Sequence, residues 1–403
     1  MAVPFFRPEL NDAEIGEVVE TLRSGWLTTG PRTRRFEEAF ADAVGARHGV
    51  ALNSCTAGLH LATVALGLRR GQGVLVPTMT FAATAEVVLY AGAVPILVDC
   101  DPETLSLDPS SIPAALADLE RGALPVPAET PVVGVMPVHV GGLMLDVDAL
   151  AAEAAERGWW RVEDAAHAFP AAVRADAGDP WRRCGAGTAD VTCFSFYANK
   201  TITTGEGGMA VCDDADLAAE IRSLSLHGLS NDAWKRYTSK GSWDYRIVAP
   251  GYKYNLTDIA AALGLRQLER AEAMRLERRA IAERFSVAFG RVDELELPPD
   301  SEDRIHSWHL YQLKLRLDRL EINRDAFLSE LRDRGVGYSV HWRPLHLHPL
   351  YESLGWREEH CPNASAVWRR TVSLPIFPGM RDDEIRTVID VVVDLCRRHR
   401  RPA

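Results

Sequence analysis

The sequence predicts an α/β fold: a large domain with a mostly parallel, seven-stranded sheet, followed by a small C-terminal α+β domain. In the first two thirds of the 403 residues, short apolar, β-branched runs alternate with Ala/Leu-rich segments of helical periodicity. The strand candidates are mostly apolar, which is typical of strands buried on both faces of a parallel sheet. After Pro298 and Pro299 the pattern changes to a mixture of strand and helix.

Each element follows from its local pattern. The runs predicted as strands of the large sheet are Gly49–Leu52, Val74–Val76, Pro95–Val98, Val132–Val138, Trp160–Glu163, Val191–Phe196 and Met209–Val211. The helices predicted between them include Ala57–Leu68, Thr84–Ala91 and Val147–Arg157. The small domain is predicted to contain a strand at Trp308–Leu315 and helices at Arg324–Arg334 and Asp382–Arg398.

A long helical pattern over about 257–289, rich in Arg and Glu, is predicted to connect the two domains. We therefore expect a large domain over residues 1–270, with an N-terminal arm at 1–30, and a small domain over 271–403.

Composition excludes several classes of protein. The formal net charge is −11 and no Lys/Arg stripe with interleaved aromatics occurs, which argues against nucleic-acid binding. No apolar run approaches the ~18 residues of a membrane span, and the N-terminus does not have the pattern of a signal peptide. Seven cysteines without a C-x-x-C pair predict reduced thiols, a cytoplasmic protein and no cysteine-based metal site.

The segment NSCTAGLHLA (53–62) brings small and hydroxyl residues to the junction between a strand and a helix. A helix that begins at the carboxyl edge of a parallel sheet offers free backbone N–H groups to an anion. An ordinary helix N-cap has the same sequence, so the segment alone does not define a site.

A second candidate, EDAAHA (163–168), places Asp164 at the end of a strand predicted to be buried. A buried carboxylate requires a cationic or N–H partner. The alternatives are an aspartate that caps the next turn and, for His167, an ordinary packed side chain.

Lysine is rare in this chain: only five of the 45 basic residues are Lys. Lys200 lies in SFYANKTITTGEGG (195–208), just after the end of a predicted buried strand that carries Ser195. A partly desolvated lysine has a lowered pKa and becomes a nucleophile. The anion site, the buried acid and this amine are the set that pyridoxal phosphate requires, although each feature alone has an ordinary explanation.

These residues lie in motifs by which the chain resembles the DegT/DnrJ-type sugar aminotransferases. These enzymes are pyridoxal-phosphate-dependent transferases of fold type I (aspartate aminotransferase-like). The chain looks most like the branch that contains UDP-4-amino-4-deoxy-L-arabinose aminotransferase. The motifs that carry the resemblance occur in the family's order over nearly the whole chain: SGWLTTGPRTRRFEEAFA (24–41), NSCTAGLHLA, EDAAHA, SFYANKTITTGEGG, GYKYNLTDIAAALG (251–264), SWHLY (307–311) and SLPIFPGM (373–380).

The resemblance implies roles around the cofactor ring. Lys200 would bind the cofactor as a Schiff base and move protons. Asp164 would pair with the ring nitrogen, Phe81 would stack on the ring, and His167 would lie near its 3-oxygen.

It also implies a phosphate site made by Thr56, Ala57 and Ser195. Family members are homodimers with shared active sites, so Asn255 of the neighbouring subunit would contact the phosphate. Lys253, His341 and Arg343 would contact the substrate.

The implied reaction moves an amino group from L-glutamate to a nucleotide-linked keto-sugar, in particular an NDP-4-keto-6-deoxyhexose, for a glycan or an antibiotic-type secondary metabolite. The alternatives are a 3-keto-sugar or cyclitol (inosose) aminotransferase, a pyridoxal-phosphate-dependent sugar dehydratase, and a regulatory protein without catalysis. Lys200 argues against the dehydratases that carry histidine at this position, and the scattered cysteines argue against the iron–sulfur variants.

The sequence departs from the family at two places. PVHVGG (137–142) lacks the tyrosine that the family often has there, which changes the expected sugar site. The segment 171–185, predicted to be a surface loop, looks longer than usual and carries Trp181.

Overall fold

A computed structural model describes residues 2–229 and 246–402. The strands of the large sheet are β1 (His48–Leu52), β2 (Gly73–Pro77), β3 (Val94–Val98), β4 (Val132–Val135), β5 (Trp160–Asp164), β8 (Val191–Ser195) and β9 (Gly208–Cys212). Their order is β1-β9-β8-β5-β4-β2-β3, with β9 antiparallel to both of its neighbours and the other pairings parallel. The predicted seven-stranded, mostly parallel sheet is confirmed.

The carboxyl ends of the strands that carry candidate site residues lie at one edge of this sheet. Six strands run in the same direction, so their carboxyl ends meet at one edge, where α/β folds bind ligands. Three central residues of β2, Val74, Leu75 and Val76, have no exposed surface, as expected for a strand covered on both faces.

The helices that cover the sheet begin and end at recognisable signals. They are α1 (Asp12–Ser24), α2 (Pro31–Val44), α3 (Cys55–Ala65), α4 (Ala82–Tyr90), α5 (Ile112–Glu120), α6 (Val147–Arg157) and α7 (Ala215–Leu224). For α6, the Asp146 carboxylate accepts a hydrogen bond from the Ala149 N–H, and Gly158 ends the helix with φ of 66°.

The long helix α8 (Asp258–Phe289) joins two hydrophobic cores. The Thr257 hydroxyl caps its N-terminus by accepting from the Ala260 N–H. Leu265 and Met274 pack in the core of the large sheet, whereas Phe285 and Phe289 pack in a second core. The predicted boundary at residue 270 lies inside this helix and stays a prediction.

The second core is built on a small antiparallel sheet. Its strands are β10 (Leu295–Glu296), β12 (Tyr311–Leu315) and β13 (Thr371–Leu374), in the order β10-β12-β13. The helices after α8 are α9 (Arg324–Asp333), α10 (Pro349–Ser353), α11 (Pro362–Trp368) and α12 (Asp382–Arg398).

The prediction that 171–185 is a surface loop is wrong at both of its ends. β6 (Ala172–Val173), β7 (Arg182–Arg183) and β11 (Arg304–Ile305) form a third, antiparallel sheet. Residues 171–173 are buried, because this short apolar run has strand partners on both sides. Only the middle of the segment is exposed, where the Trp181 ring lies 4.5 Å from the Arg174 guanidinium.

No helix among residues 2–229 and 246–402 combines the length and apolar character needed to span a bilayer. All seven cysteines are buried and unpaired.

Candidate active site

A cavity of about 400 Å³ lies at the carboxyl edge of the large sheet. Residues that follow β1, β2, β5 and β8 meet there, as the parallel sheet requires. The sequence-predicted residues that line it are Thr56, Phe81, Asp164, His167, Ser195, Lys200 and His341.

A larger depression, of about 740 Å³, lies elsewhere, between α2, β1 and α7. Its charged residues have both signs, and Arg222 is paired with Glu37 at 2.7 Å. It contains none of the predicted site residues, so we take the smaller cavity as the candidate site.

Lys200 is half-buried, on the turn that follows β8, where its N–H donates to the Tyr197 carbonyl. Its Nζ lies 3.4 Å from His309 Nε2, and no carboxylate of the described residues pairs with it. Burial lowers the pKa of Lys200 from 10.5 to about 8; the charges of Asp164 and Cys55 oppose this shift, and Arg278 adds to it. The amine is therefore partly neutral near pH 7 to 8, as a nucleophile and proton carrier requires.

Asp164 ends β5 and is only 5% exposed. Its carboxylate accepts hydrogen bonds from the Thr84 hydroxyl at 2.7 Å and from the Ala166 N–H at 3.1 Å. Burial raises the pKa of Asp164 above its usual value, against these two donors and the Lys200 charge. A cationic group in the cavity would stabilise the charged form of this carboxylate.

The beginning of α3 forms an anion site at the cavity wall. The Ser54 hydroxyl caps the helix by accepting from the Ala57 N–H at 3.0 Å. The N–H groups of Cys55 and Thr56 have no acceptor among the described residues, so they are available to an anion. A Cβ on Gly208 would lie 2.5 Å from the Cys55 nitrogen, so the strand can approach the start of the helix only with glycine at this position.

Aromatic rings form one wall of the cavity. The His167 ring stacks on Trp342, with centroids 5.0 Å apart, and lies 4.2 Å from the His309 ring. Its Nδ1 accepts from the Gly141 N–H, and burial holds its pKa well below the usual range, so the ring is neutral. His341 bonds Ser373 at 2.8 Å, and burial lowers its pKa to about 3.

Phe81 immediately precedes α4, lines the cavity and is 62% exposed. Ser195 ends β8; its Oγ accepts from the Tyr197 N–H at 3.3 Å, which leaves its own proton free to be donated.

Four predicted residues do not line the cavity of this chain. The Ala57 N–H is used by the helix cap. Lys253 Nζ donates to Asn255, whose amide in turn donates to the Thr29 hydroxyl at 2.7 Å. The Arg343 guanidinium lies over Trp368, 5.6 Å from the ring centroid, so we do not find it at the cavity wall.

The structure also brings to the site residues that the sequence reasoning did not assign a role. His309 contacts Lys200, Trp342 lines the cavity, and Thr84 bonds Asp164. His309 lay in the SWHLY motif and Thr84 in the helix pattern after Phe81, but neither pattern indicates what the side chain contacts.

Three buried side chains, one of them on β5, have the composition of a metal site: His139, Glu163 and Cys184. The Leu145 N–H donates to His139 Nδ1, so the ring proton lies on Nε2, the atom that a metal would need. Nε2 points at Glu163 Oε1, 3.7 Å away, while the other oxygen accepts from two threonine hydroxyls. The donor set therefore fits a polar support for the strand and not a metal.

Comparison with known proteins gives close relatives over the full chain. The spore coat polysaccharide biosynthesis protein SpsC of Bacillus subtilis is 42% identical over 98% of this chain and 97% of its own length. Among solved structures, the putative sugar aminotransferase Spr1654 of Streptococcus pneumoniae has a TM-score of 0.87 and 31% identity, covering 99% of this chain and 98% of its own. Aminotransferase TlmJ of Streptoalloteichus hindustanus has a TM-score of 0.85 and 32% identity, covering 99% of both chains.

The fold is that of the pyridoxal-phosphate-dependent transferases of type I, and the cavity holds the lysine, the carboxylate and the anion site that this class uses. Residues 8–393 match the DegT/DnrJ/EryC1/StrS aminotransferase family. The chain belongs to this family.

Proposed function

We propose that this protein is a pyridoxal-phosphate-dependent transaminase that moves an amino group from L-glutamate to a nucleotide-linked keto-sugar. The observation that carries the proposal is the convergence of Lys200, Asp164 and the start of α3 on one cavity. Spr1654 has been solved in PLP, PMP and apo forms, which supports the same cofactor here.

Bound pyridoxal phosphate supplies an electron-withdrawing ring that acidifies the C–H bond beside the substrate amine. The phosphate would be held by Thr56 at the start of α3, where the helix dipole favours negative charge, and by Ser195 at the end of β8. Asp164 keeps the ring nitrogen protonated, because a buried carboxylate is stabilised by a cation at the cavity wall. Phe81 and His167 line the cavity; Phe81 would cover one face of the ring, and His167 would lie near its 3-oxygen.

Lys200 would anchor the cofactor, and its free amine would carry the proton during transfer. A pKa of about 8 suits this role, since the amine is neutral in a useful fraction of molecules and still accepts a proton. His309 lies beside the same amine. Both half-reactions use the same site and the same lysine, and the keto product of the donor leaves before the sugar binds, so ping-pong kinetics are expected.

The substrate is proposed to be an NDP-4-keto-6-deoxyhexose. The names of SpsC and Spr1654 support a sugar, and the resemblance to the 4-amino-4-deoxy-L-arabinose branch supports carbon 4. His341 at the cavity wall is the proposed sugar contact, with Arg343 and Lys253 as further contacts. The alternatives are a 3-keto-sugar, a cyclitol or a dehydratase reaction.

We propose a cytoplasmic homodimer with shared active sites, in which Asn255 of one subunit contacts the phosphate of the other. Lys253 and Asn255 do not line the cavity of their own chain, which supports a contact with the other subunit. The buried, reduced cysteines support the cytoplasmic compartment.

The test is a panel of nucleotide-linked keto-sugars assayed with glutamate, with 2-oxoglutarate measured and each product identified by NMR. We expect the visible absorbance of the protein-bound cofactor to fall on addition of glutamate and an amino-sugar to form from a 4-keto substrate. A protein that shows no spectral change with any amino donor would contradict the transaminase. Amination of a 3-keto-sugar or an inosose alone would contradict only the substrate.

A further inference from the structure

Two threonine hydroxyls form a chain of hydrogen bonds that ends at Asp164. Thr84, on the first turn of α4, has its Oγ1 2.7 Å from Asp164 Oδ2. Thr80 Oγ1 lies 2.8 Å from Thr84 Oγ1. Thr84 has no exposed surface and Thr80 has 1%, so water does not substitute for these contacts.

The direction of this chain of hydrogen bonds follows from chemistry. An ionised carboxylate only accepts, so Thr84 must donate its single proton to Asp164. The Thr84 oxygen is then an acceptor, and Thr80 donates to it. The other acceptor near Thr84, the Phe81 carbonyl, is farther away at 3.4 Å. The order Thr80 to Thr84 to Asp164 polarises each bond in the sense that stabilises negative charge.

Thr84 is the only side-chain oxygen or nitrogen donor to Asp164 within residues 2–229 and 246–402. The second donor is the Ala166 backbone, and the Cys55 sulfur lies 4.0 Å from Oδ1, too far for a strong bond. Since burial works against the charge of Asp164, the loss of one donor has a direct effect on its ionisation.

We propose that Thr84, aligned by Thr80, is a positioning residue that holds Asp164 ionised and oriented toward the ring nitrogen of the bound cofactor. Thr84 does not line the cavity, so it acts through Asp164 and not on the cofactor or the substrate. The inference rests on the proposed role of Asp164 as the partner of the ring nitrogen.

The test compares Thr84→Val, which keeps the shape and removes the hydroxyl, with Thr84→Ser, which restores it. Three quantities are measured: the pKa of Asp164 in the cofactor-free protein, from NMR of ¹³C-labelled aspartate; the protonation of the ring nitrogen, from NMR of ¹⁵N-labelled pyridoxal phosphate bound to the enzyme; and kcat. The Asp164→Asn variant assigns the aspartate signal.

In Thr84→Val we expect a higher pKa of Asp164, a smaller protonated fraction of the ring nitrogen, and a ten- to hundredfold fall in kcat, the range for one hydrogen bond to a charged group. Thr84→Ser should recover all three. Thr63→Val is the matched control: Thr63 is equally buried, but its hydroxyl donates to the His60 carbonyl inside α3, so all three readouts should stay unchanged.

If folded Thr84→Val keeps the wild-type ring-nitrogen signal while Asp164→Asn loses it, this inference is wrong and the role of Asp164 stands. If Asp164→Asn also keeps the signal, the proposed role of Asp164 is wrong as well. Should Thr84→Val not fold, Thr80→Val decides: it must lower the protonated fraction in the same direction, and an unchanged signal overturns the inference.

Discussion

Two of the five lysines, the half-buried Lys200 and the fully buried Lys314, have opposite surroundings. Lys314, on β12, is 1% exposed, and its Nζ contacts Glu296 at 2.6 Å and the carbonyls of Pro102 and Glu103 at 3.1 and 3.0 Å. Each of its three protons therefore has an acceptor. Within residues 2–229 and 246–402, the Lys200 Nζ has one polar contact, with His309 at 3.4 Å, and it faces a cavity.

The comparison shows that burial alone does not make a lysine reactive. The Lys314 ammonium has three good acceptors and holds two parts of the fold together, β12 and the loop after β3. A buried ammonium without a carboxylate partner loses its proton more easily, which is the state that attacks a carbonyl. The partners of the nitrogen atom, and not its depth, separate a structural lysine from a chemical one.

The largest effect is expected for Lys200→Ala. Because anchoring and proton transfer both depend on this amine, transamination should fall by about a thousandfold or more. The protein should still bind pyridoxal phosphate but lack the absorption band of the covalently held cofactor. Lys314→Met is the control, with a normal band and normal turnover. Near-full turnover in Lys200→Ala would remove the basis of the comparison and of the proposed function.

The second largest effect is expected for Asp164→Asn. Asp164 and Glu296 are both carboxylates near a lysine, so Glu296 provides the matched control. If Asp164 serves the ring nitrogen, its neutral analogue should reduce kcat by about a thousandfold, equivalent to about 4 kcal/mol of barrier. Glu296 pairs with Lys314 far from the cavity, so Glu296→Gln should leave kcat unchanged. Steady-state kinetics at saturating glutamate measure both. Equal, small effects would mean that Asp164 has only a structural role.

The fold was largely predictable because it depends on local patterns. The helices Val147–Arg157 and Asp382–Arg398 have the predicted bounds, and all seven strands of the large sheet were found. Apolar runs indicate burial but not pairing, so the strand predicted at Val132–Val138 ends at Val135. The strand predicted from Trp308 begins at Tyr311, because Trp308 has φ of 52°, which is incompatible with an extended strand.

The site was predictable where a residue follows a strand, and not where it acts from another part of the chain. Asp164 and Ser195 end parallel strands, so topology alone brings them to one edge. Thr84 and Asp164 are 80 residues apart, and Lys200 and His309 are 109 apart. Such pairs depend on helix orientation and on how the C-terminal part packs against the sheet, which periodicity does not encode.

The third prediction concerns pH. Only the neutral Lys200 amine attacks a carbonyl, so the rate of covalent capture of pyridoxal phosphate by the cofactor-free protein should rise with pH and level off above the lysine pKa. With a pKa of about 8, the rise from pH 6 to pH 8 should be about fiftyfold, with little change beyond pH 9. Stopped-flow absorbance measures the rate, and an N-acetyl-lysine amide in the same buffers corrects for titration of the cofactor. A rate that continues to rise tenfold per pH unit up to pH 10 would show that Lys200 is charged like an exposed lysine.

The smallest effect is expected for Lys314→Met, and it should appear in stability. The substitution leaves the Pro102 and Glu103 carbonyls without their donor, but Glu296 keeps its second partner, Arg370, at 2.6 Å. We therefore expect the free energy of unfolding to fall by about 2 kcal/mol, less than for a buried charge left with no partner. Urea denaturation measures it, with Arg332→Met, an arginine that is 66% exposed, as a control expected to change by less than about 0.5 kcal/mol. A stable Lys314→Met protein with an altered cofactor band would reverse the roles assigned to the two lysines, because it would tie the second buried amine to the chemistry of the cavity.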